Sequence, residues 1–286
     1  MTATSYHFKV GKFECIAVND GTLTYTDPAP LHFANAPSDL LGPALRRYGI
    51  QLEAWKEWIS PLICLVIQTG EHCILVDTGL GSTFDWAPNA GRLLQNLQAE
   101  GIGAGDIDTV IISHAHGDHV GGNVDLEGRA AFPEARYIMS KGEWDFWTSD
   151  KTLVQAEHNW MTPIVEQKLM PIQDRFQLIE QDIEIVPGIY TLFAPGHTPG
   201  NMAVVIKSGN EQLLSLGDVI AHPLHVERPE WYLEPDVQPE QSVRTRQQLL
   251  ERAAVEHALV CGFHLDFPGL GYVLQEQGGL KWQAIT

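Results

Sequence analysis

Short apolar runs separated by turn residues dominate the first part of the chain. Residues 6–11 and 13–21 have β-like patterns. Residues 62–79, LICLVIQTGEHCILVDTG, contain two β-rich runs on either side of Thr-Gly-Glu, which predicts a hairpin. Helical spacing follows in residues 91–101, with a glycine as the last residue and expected C-cap. The short β-branched run at residues 108–114 then predicts a buried strand that ends in histidine.

The second part of the chain repeats this order. Residues 201–218 again predict a hairpin, residues 245–256 a helix, and residues 257–264 a short apolar strand that ends in histidine. The matching polar residues are Asp77 with Asp218 and His114 with His264. We therefore expect a single α/β domain over residues 1–286, built from two similar halves. Both polar pairs should lie at strand ends, where sites collect in layered α/β folds.

An irregular segment rich in proline and aromatic residues interrupts the first half at residues 22–60. A connection of this length is uncommon unless it is functional or carries secondary structure of its own. We expect short helices here. The segment could form a lid over a site, or a homodimer contact through Leu40, Leu41, Leu45 and Tyr48.

The charge balance limits the partners of this protein. The 286-residue chain carries a formal charge of −18. An acidic surface repels phosphate backbones and anionic membranes, so we expect neither nucleic acid nor a membrane as a partner. The four cysteines form no C-x-x-C pair, the N-terminus has no signal-peptide pattern, and no run approaches about 18 apolar residues. These features predict a cytoplasmic protein with reduced thiols.

The stretch SHAHGDHVGG, residues 113–122, concentrates metal-ligand side chains. If the preceding strand continues, His114 and His116 share one face because side chains alternate along a strand. A turn at Gly117 then allows Asp118 and His119 to face the same space. Imidazoles and carboxylates suit zinc, iron, manganese or cobalt. Because one open catalytic metal usually takes three protein ligands, four such groups indicate two metals.

Three further residues complete a candidate ligand set. His197 lies in the Gly- and Pro-rich turn APGHTPGN, Asp218 ends a predicted strand, and His264 follows another. Each residue alone is weak evidence, since a lone histidine is more often structural. Together they occupy strand ends and tight turns, where their side chains can converge.

These motifs resemble those of the metallo-β-lactamase superfamily. HAHGDH fits the pattern H-x-H-x-D-H, and VDTG, PGHTPG, LGD and the late FH follow in that family's order. The resemblance covers residues 76–264. It implies a four-layer αββα sandwich of two similar halves, in agreement with the duplicated pattern.

The resemblance also implies a role for each candidate residue. The first metal would be held by His114, His116 and His197. The second would be held by Asp118, His119 and His264. Asp218 would bridge both metals, and Asp77 would orient a metal-bound histidine or else cap the following segment. Zinc is the first choice for both ions, with iron, manganese or cobalt as alternatives.

Two such metals imply hydrolysis. They would share and ionise a water molecule, and the bridging hydroxide would attack an electrophilic carbon or phosphorus. The metals would also polarise the substrate oxygen and stabilise the developing negative charge. Asp118 is the candidate catalytic residue, because it could orient the nucleophile or pass a proton to the leaving group.

Within the superfamily, the sequence looks closest to the branch of methyl-parathion-hydrolase-like enzymes and N-acyl-homoserine lactonases. That resemblance implies a small, neutral and partly apolar ester, lactone or phosphotriester, bound in an apolar pocket. Candidate wall residues are Phe33, Trp86, Trp144, Trp147 and His222, with Trp55, Trp58, Trp231 and Tyr232 as further aromatic candidates.

One position departs from this branch. Some of its lactonases carry a tyrosine three residues after the bridging aspartate, where this chain has Ala221. His222 or His225 could replace that tyrosine as proton donor, although a structural role is the more common one for a histidine.

Four other functions remain open. A glyoxalase-II-type thioesterase would carry a C-terminal helical domain, for which the 22 residues after His264 leave no room. A tRNA-processing nuclease is opposed by the acidic charge. A persulfide-dioxygenase-like enzyme would bind a single iron with fewer of these ligands. A non-catalytic metal-binding scaffold would be expected to have lost some of the ligands.

Overall fold

In the computed structural model, which describes residues 3–81, 87–153, 155 and 158–285, fourteen strands form two mixed sheets of seven. The first sheet contains, in spatial order, β1 (Ser5–Val10), β2 (Phe13–Thr26), β3 (Glu57–Gln68), β4 (Cys73–Val76), β5 (Thr109–Ile111), β6 (Arg136–Ser140) and β7 (Phe176–Ile179). The second contains β8 (Glu184–Val186), β9 (Ile189–Phe193), β10 (Met202–Ser208), β11 (Glu211–Gly217), β12 (Leu259–Gly262), β13 (Leu270–Glu276) and β14 (Gly279–Ala284).

Helices connect these strands and cover the outer faces of the sheets. The α-helices among the described residues are α1 (Pro28–His32), α2 (Ser38–Arg46), α3 (Leu93–Ala99), α4 (Gly117–Val120), α5 (Lys141–Trp147), α6 (Asp150–Leu153), α7 (Thr162–Ile164), α8 (Leu224–Glu227) and α9 (Pro239–Val255). A π-helical turn covers Val165–Leu169, and 3-10 turns cover Leu52–Ala54, Ala104–Asp106, Gly121–Asn123, Asn159–Met161 and Met170–Arg175.

The two halves of the chain repeat the same strand arrangement. In the first sheet β3 pairs antiparallel with β4, which pairs parallel with β5. In the second, β10 pairs antiparallel with β11, which pairs parallel with β12. The parallel pairs need a crossover between their strands, and α3 and α9 lie in the two crossovers. The predicted duplication of hairpin, helix and strand is confirmed.

Alternation along the strands separates the layers. In β3, Ile63 and Leu65 belong to the core between the sheets, which they share with Val204 of β10. The intervening Cys64 points to the other face and belongs to the core that contains Leu97 of α3. A third core joins the outer face of the second sheet to α9, through residues that include Val205, Leu214, Leu250 and Ala253. Because both faces of the central strands are covered, they appear in the sequence as continuous apolar runs. The αββα sandwich is confirmed.

The segment 22–60 is only partly irregular. Strands β2 and β3 extend into it, with register pairs from Thr22 with Pro61 to Thr26 with Glu57. The remaining residues, 27–56, carry α1, α2 and a 3-10 turn, so short helices are present as expected. The segment forms a small core together with α8 and the residues that follow it, which consists of Phe33, Leu41, Ala44, Leu45, Leu224 and Trp231.

Membrane-spanning helices and disulfide bonds would each change the character of this fold. Among the described residues, helices with both the length and the apolarity to cross a membrane are absent. All four cysteines are free thiols, and only Cys73 is not fully buried.

Candidate metal centre

The ends of four strands bring the predicted ligands together. Asp77 directly follows β4, and Asp218 directly follows β11. His114 lies just beyond β5, and His264 just beyond β12. In each half these strands are parallel neighbours, so their carboxyl ends meet at one edge of the sheet. The two similar halves thus supply matching residues to one site.

A first ligand group is fully buried. Its ligand atoms all lie within 4.8 Å of one another, and it consists of His114, His116, His197 and Asp218. The Nε2 atom of His197 is 3.0 Å from Nδ1 of His116 and 3.3 Å from Oδ2 of Asp218. The Nε2 atom of His114 is 3.8 Å from the same Asp218 oxygen. Three imidazole nitrogens therefore surround one carboxylate.

A second ligand group lies beside the Asp218 carboxylate. It consists of Asp118, His119 and His264. The Nε2 atom of His264 is 3.3 Å from Oδ2 of Asp118 and 3.4 Å from Oδ2 of Asp218. The Nε2 atom of His119 is 3.2 Å from Oδ1 of Asp218. Asp218 thus lies between the two groups.

The donor atoms fit metal ions better than they fit one another. Among the described residues, His114 Nε2, His119 Nε2 and Asp218 Oδ1 are buried without a hydrogen-bond partner. The 3.2 Å approach of His119 Nε2 to Asp218 Oδ1 lacks the alignment of a hydrogen bond. Leaving a polar atom buried and unpaired costs about 1–3 kcal/mol. Imidazole nitrogens with carboxylate oxygens are the usual ligands of zinc and related transition metals. Divalent cations at these positions would satisfy all three atoms.

Asp77 holds one of the candidate ligand histidines in place. Nδ1 of His119 donates to Oδ2 of Asp77 at 2.9 Å, so Nε2 is left free to bind a metal. The carboxylate also accepts from the backbone N and the Oγ of Ser113, at 2.8 Å each. Asp77 has a φ of +60°, a conformation that non-glycine residues rarely adopt and that is concentrated at functional sites. Of its two proposed roles, the geometry supports orientation of a histidine.

Two further orienting residues were not found from the sequence. Nδ1 of His197 donates to Oδ1 of Asp236 at 2.8 Å, and Nδ1 of His264 lies 2.9 Å from Oγ of Ser60. Neither residue belongs to a ligand-like motif, and Ser60 is 204 positions from its partner. Asp236 shortly precedes α9, and acidic residues are common at the start of any helix.

Glu143, also missed, connects the two loops that carry the first ligand group. This fully buried carboxylate on α5 accepts from the backbone N of Ala115 at 2.8 Å. On the other side it accepts from Thr198 Oγ1 at 2.6 Å and from the backbone N of Gly200 at 3.1 Å. Trp147 Nε1 is its fourth donor, at 2.8 Å. Ala115 lies between two ligand histidines and Thr198 follows a third, so Glu143 fixes their spacing.

The histidines of the centre differ in the direction in which their surroundings shift the pKa. Burial alone would lower the pKa of His197, but Asp218 and Asp236 outweigh it and raise the pKa to about 9. Burial is likewise outweighed at His264, whose pKa Asp218 and Asp118 raise to about 9. At His116, burial and the neighbouring His197 act together and lower the pKa to about 3. The acidic oxygens therefore attract positive charge to the centre.

A cavity of about 520 Å³ opens onto both ligand groups. The centre contributes His116, Asp118, His197, Asp218 and His264 to its floor. Its walls are largely apolar and include Leu23, Leu31, Trp58, Leu80, Trp160, Pro163, Ile164, Ala221, Leu233 and Pro235. The remaining polar side chains are Thr24, Tyr25 and His32, and the described lining contains neither lysine nor arginine.

Sequence comparison assigns the chain to a family. A model of the metallo-beta-lactamase superfamily matches residues 63–264, well over half of the chain. The chain belongs to this superfamily. The matched range contains every residue of both ligand groups, and the resemblance inferred from the motifs is confirmed.

Curated relatives include N-acyl homoserine lactonases. The lactonase of Bacillus cereus is 27% identical over 173 residues, which cover 54% of this chain and 62% of that protein. A lactonase of Bacillus thuringiensis is 27% identical over 165 residues, which cover 52% and 59%. The chain therefore spans about three fifths of the length of these curated relatives.

Solved structures match over nearly the whole chain. AidC, a dizinc quorum-quenching lactonase in complex with a product N-hexanoyl-L-homoserine, is 28% identical with a TM-score of 0.88, and the match covers 99% of this chain and 97% of AidC. The hydrolase AbOPH of the beta lactamase superfamily is 27% identical with a TM-score of 0.90, and the match covers 100% and 99%.

Four of the predicted wall residues lie outside the lining of this cavity. Phe33 is buried in the core of the segment 27–56. Trp144 packs against Phe176, with ring centroids 5.1 Å apart, and Trp147 is fully buried beside Glu143. These residues and His222 do not line the cavity. Trp86 lies outside the described residues. Of the wider set of aromatic candidates Trp58 does line the cavity, and Trp160, which no sequence motif singled out, is a second tryptophan in the wall.

Neither His222 nor His225 is placed to donate a proton to a substrate. Both are buried outside the cavity lining, and burial lowers the pKa of His222 to about 3. Nδ1 of His222 accepts from the backbone N of Leu224 at 3.0 Å. His225 donates through Nε2 to the backbone O of His32 at 2.8 Å. The tyrosine position itself, Ala221, does line the cavity.

Proposed function

We propose that this protein is a metal-dependent hydrolase that uses two metal ions to cleave an ester bond. Its substrate would be neutral and partly apolar, with an N-acyl lactone as the first candidate. The position of Asp218 between two ligand groups, at the floor of an apolar cavity, carries this proposal. The likeness to N-acyl homoserine lactonases and to a dizinc lactonase supports it.

The ligand assignment follows the two groups. The first ion would be held by His114, His116 and His197. The second would be held by Asp118, His119 and His264. Asp218, which lies close to histidines of both groups, would help to hold both ions. When bound, the ions would lower the pKa of a water molecule towards ~7 and polarise the substrate oxygen.

The protein's own side chains supply position and proton transfer. Asp118 lines the cavity and lies in the second group, so its carboxylate can orient a water molecule or carry a proton to the leaving group. Asp77 and Asp236 hold two of the ligand histidines in the tautomer that leaves the other ring nitrogen free, and Ser60 orients a third through its Nδ1. The apolar walls exclude water from the bound substrate, which strengthens every charge interaction in the site.

The cavity also argues against anionic substrates. Away from the metal centre, the described lining holds neither lysine nor arginine, so the walls offer no counter-charge to a carboxylate. A glutathione thioester of the glyoxalase-II type therefore fits poorly, whereas lactones, aryl esters and phosphotriesters are neutral.

The test is turnover of a substrate panel by zinc-loaded protein. The panel comprises a p-nitrophenyl ester, a phosphotriester, and N-acyl lactones of short and medium chain length. We expect hydrolysis of at least one lactone, with kcat/KM rising with acyl length because the walls are apolar. His116→Ala should lose most of that activity, because it removes a nitrogen from the first group. His257→Asn is the matched control at an exposed histidine, and should retain it.

Two results would contradict the proposal. Absence of turnover on the whole panel, with two equivalents of metal bound, would favour the non-catalytic scaffold. Equal activity in wild type and His116→Ala would show that the observed hydrolysis does not arise at this centre.

A further inference from the structure

One histidine in the cavity belongs to neither ligand group. His32, the last residue of α1, is 3% exposed and lines the cavity together with three ligand histidines. Its ring lies edge-on to Trp58, with centroids 4.1 Å apart, and to Tyr25, with centroids 5.7 Å apart. Both of these rings are in turn within 6.4 Å of the His264 ring. His32 and the metal centre therefore share the cavity, and the rings of Tyr25 and Trp58 neighbour both.

The hydrogen bonds of His32 determine what its ring can offer. Nδ1 lies 2.9 Å from the backbone O of Pro28, and a carbonyl oxygen only accepts, so Nδ1 carries the hydrogen. Burial lowers the pKa of His32 to about 4, which keeps the ring neutral near pH 7. In a neutral ring with hydrogen on Nδ1, Nε2 is a pure acceptor. Because His32 lines the cavity and Nδ1 is bonded to Pro28, Nε2 is the ring nitrogen available to a ligand. It is a fixed acceptor that cannot become a donor by rotation, unlike the hydroxyls of Thr24 and Tyr25.

The backbone of this residue is held as firmly as its ring. The backbone O of His32 accepts from Nε2 of His225 at 2.8 Å, which assigns a structural task to that buried histidine. The next residue, Phe33, is packed in the core of the segment 27–56. Because the ring and the backbone of His32 are both held by hydrogen bonds, its Nε2 atom loses little further freedom when a ligand binds. This is the arrangement expected of a group that recognises a substrate.

An acceptor in an apolar cavity is costly unless a ligand supplies a donor. The oxygens and nitrogens of the floor are committed to the metal centre in the proposed function. An N-acyl lactone carries one N–H, in the amide between its acyl chain and its ring. This donor lies near the scissile bond, while the acyl chain needs apolar walls.

We propose that His32 is a specificity-determining residue whose Nε2 accepts a hydrogen bond from a substrate N–H, so that the preferred substrates are esters or lactones bearing a secondary amide close to the scissile bond. This inference rests on the proposed function. It goes further by assigning the recognition of the amide to a residue outside the metal centre. It also gives the segment 27–56 a part in the site, as the element that carries His32.

The test compares two substrates on the wild type, two His32 variants and one control variant. The substrates are an N-acyl lactone and the analogue in which a methylene replaces the amide N–H. Wild type should prefer the amide by about 10- to 100-fold in kcat/KM, since an unsatisfied buried polar group costs about 1–3 kcal/mol. In His32→Phe the preference should fall to near unity, through loss of activity on the amide alone. His32→Gln, which keeps an acceptor at similar reach, should recover part of the preference.

The substrate ratio separates recognition from mere structural damage. Loss of the bond to Pro28 or of packing against Trp58 would lower activity on both substrates alike. Trp58→Phe is the matched control, because it alters the same wall without touching the acceptor, and it should leave the ratio unchanged. Unaltered discrimination in His32→Phe would overturn the inference, as would a wild type that does not distinguish the two substrates.

A p-nitrophenyl ester without any N–H is included with each protein. If wild type hydrolyses this ester but prefers no amide-bearing substrate, the role of His32 is wrong while hydrolysis at the metal centre stands. If wild type hydrolyses nothing, the proposed function itself has failed.

Discussion

Buried oxygen atoms fix the orientation of three candidate ligand histidines. Asp77, Asp236 and Ser60 each contact the Nδ1 atom of one ring, at 2.9, 2.8 and 2.9 Å. The two carboxylates only accept, so they place the hydrogen of their histidines on Nδ1 and leave Nε2 as the metal-binding atom. The contact with Ser60 likewise occupies Nδ1 of His264 and leaves its Nε2 for a metal. Carboxylates in such positions also raise the basicity of the ring, so their loss usually weakens metal binding.

Asp236 provides the clearest test of this orientation. The carboxylate also accepts from the backbone N of Leu233 and lies 3.7 Å from the buried guanidinium of Arg246. Asp236→Asn keeps the shape of the side chain but removes the negative charge that faces His197 and Arg246. We expect metal affinity to fall by about 10- to 100-fold, measured by competition with a chromogenic chelator. The exposed Asp174→Asn serves as control, and equal affinities in the two variants would refute the role.

Glu143 should matter for stability as well as for the site. Four donors converge on its carboxylate, from Ala115, Trp147, Thr198 and Gly200. In Glu143→Gln the amide nitrogen faces at least one of these donors, so one buried group loses its partner. We expect a loss of about 1–3 kcal/mol in the free energy of unfolding, measured in urea.

The control for Glu143 is the exposed Glu166→Gln, which should unfold like wild type. A Glu143→Gln protein with unchanged unfolding midpoint and unchanged metal content would show that the carboxylate does not hold the two loops together.

At the residue scale, the sequence predicted candidate ligands best where several ligand-type side chains lie close together in the chain. Four ligand-type side chains in six positions seldom occur without a metal to bind, and the structure brings them together with His197, Asp218 and His264. Single polar residues such as Asp236 and Glu143 gave no comparable signal, because carboxylates are common on surfaces. Tryptophan was ambiguous for a different reason. Trp147 and Trp58 have the same side chain, and only the tertiary fold sends one to the core and the other to the cavity.

Among the secondary-structure elements, local patterns located the hairpins and the two crossover helices. They did not locate the ends of β2 and β3. These ends are fixed by pairing with each other across the intervening segment, from Thr22 with Pro61 to Thr26 with Glu57, and such contacts leave no local mark in the sequence. The short strands β7 and β8 were missed for a similar reason, since four and three residues give too little periodicity.

The segment 27–56 should behave as a packed element. Leu45 on α2 is fully buried in its core beside Trp231, whereas Leu40 on the same helix is 43% exposed. Leu45→Ala should therefore cost about 2–5 kcal/mol in the free energy of unfolding, and Leu40→Ala much less. Urea unfolding of both variants measures the difference. Similar costs for the two substitutions would mean that the segment contributes little to the cooperative unit.

At the scale of the whole molecule, the two ligand groups join the halves of the sandwich. The first group combines His114 and His116 from the first half with His197 and Asp218 from the second. The second group adds His264 to Asp118 and His119 in the same way. The ligand-bearing loops are therefore near one another only in the folded chain. Metal binding should consequently stabilise the folded state strongly relative to the unfolded state.

Chelation should consequently lower thermal stability. A ligand at 100 times its dissociation constant stabilises the folded state by ~2.7 kcal/mol per site. We expect the melting temperature to drop in a strong chelator and to return when zinc is restored, as followed by calorimetry. His116→Ala should show a smaller zinc-dependent rise than the exposed control His257→Asn. A melting temperature that is insensitive to chelator, in protein shown to have lost its metal, would contradict this coupling.

Metal binding should also depend on pH in a defined direction. Asp218 and its acidic neighbours raise the pKa of His197 and of His264 to about 9, against the effect of burial. Below that pH both rings are positively charged in the metal-free protein, with hydrogen on both nitrogens. Each ring must lose the proton on Nε2 before this atom can bind a cation. Affinity should therefore rise with pH up to about 9 and then level off, with ~2 protons released per molecule near pH 7 from these two residues. Titration calorimetry in buffers of different ionisation enthalpy counts those protons. An observed enthalpy that is the same in every buffer near pH 7 would show that the two histidines are already neutral there.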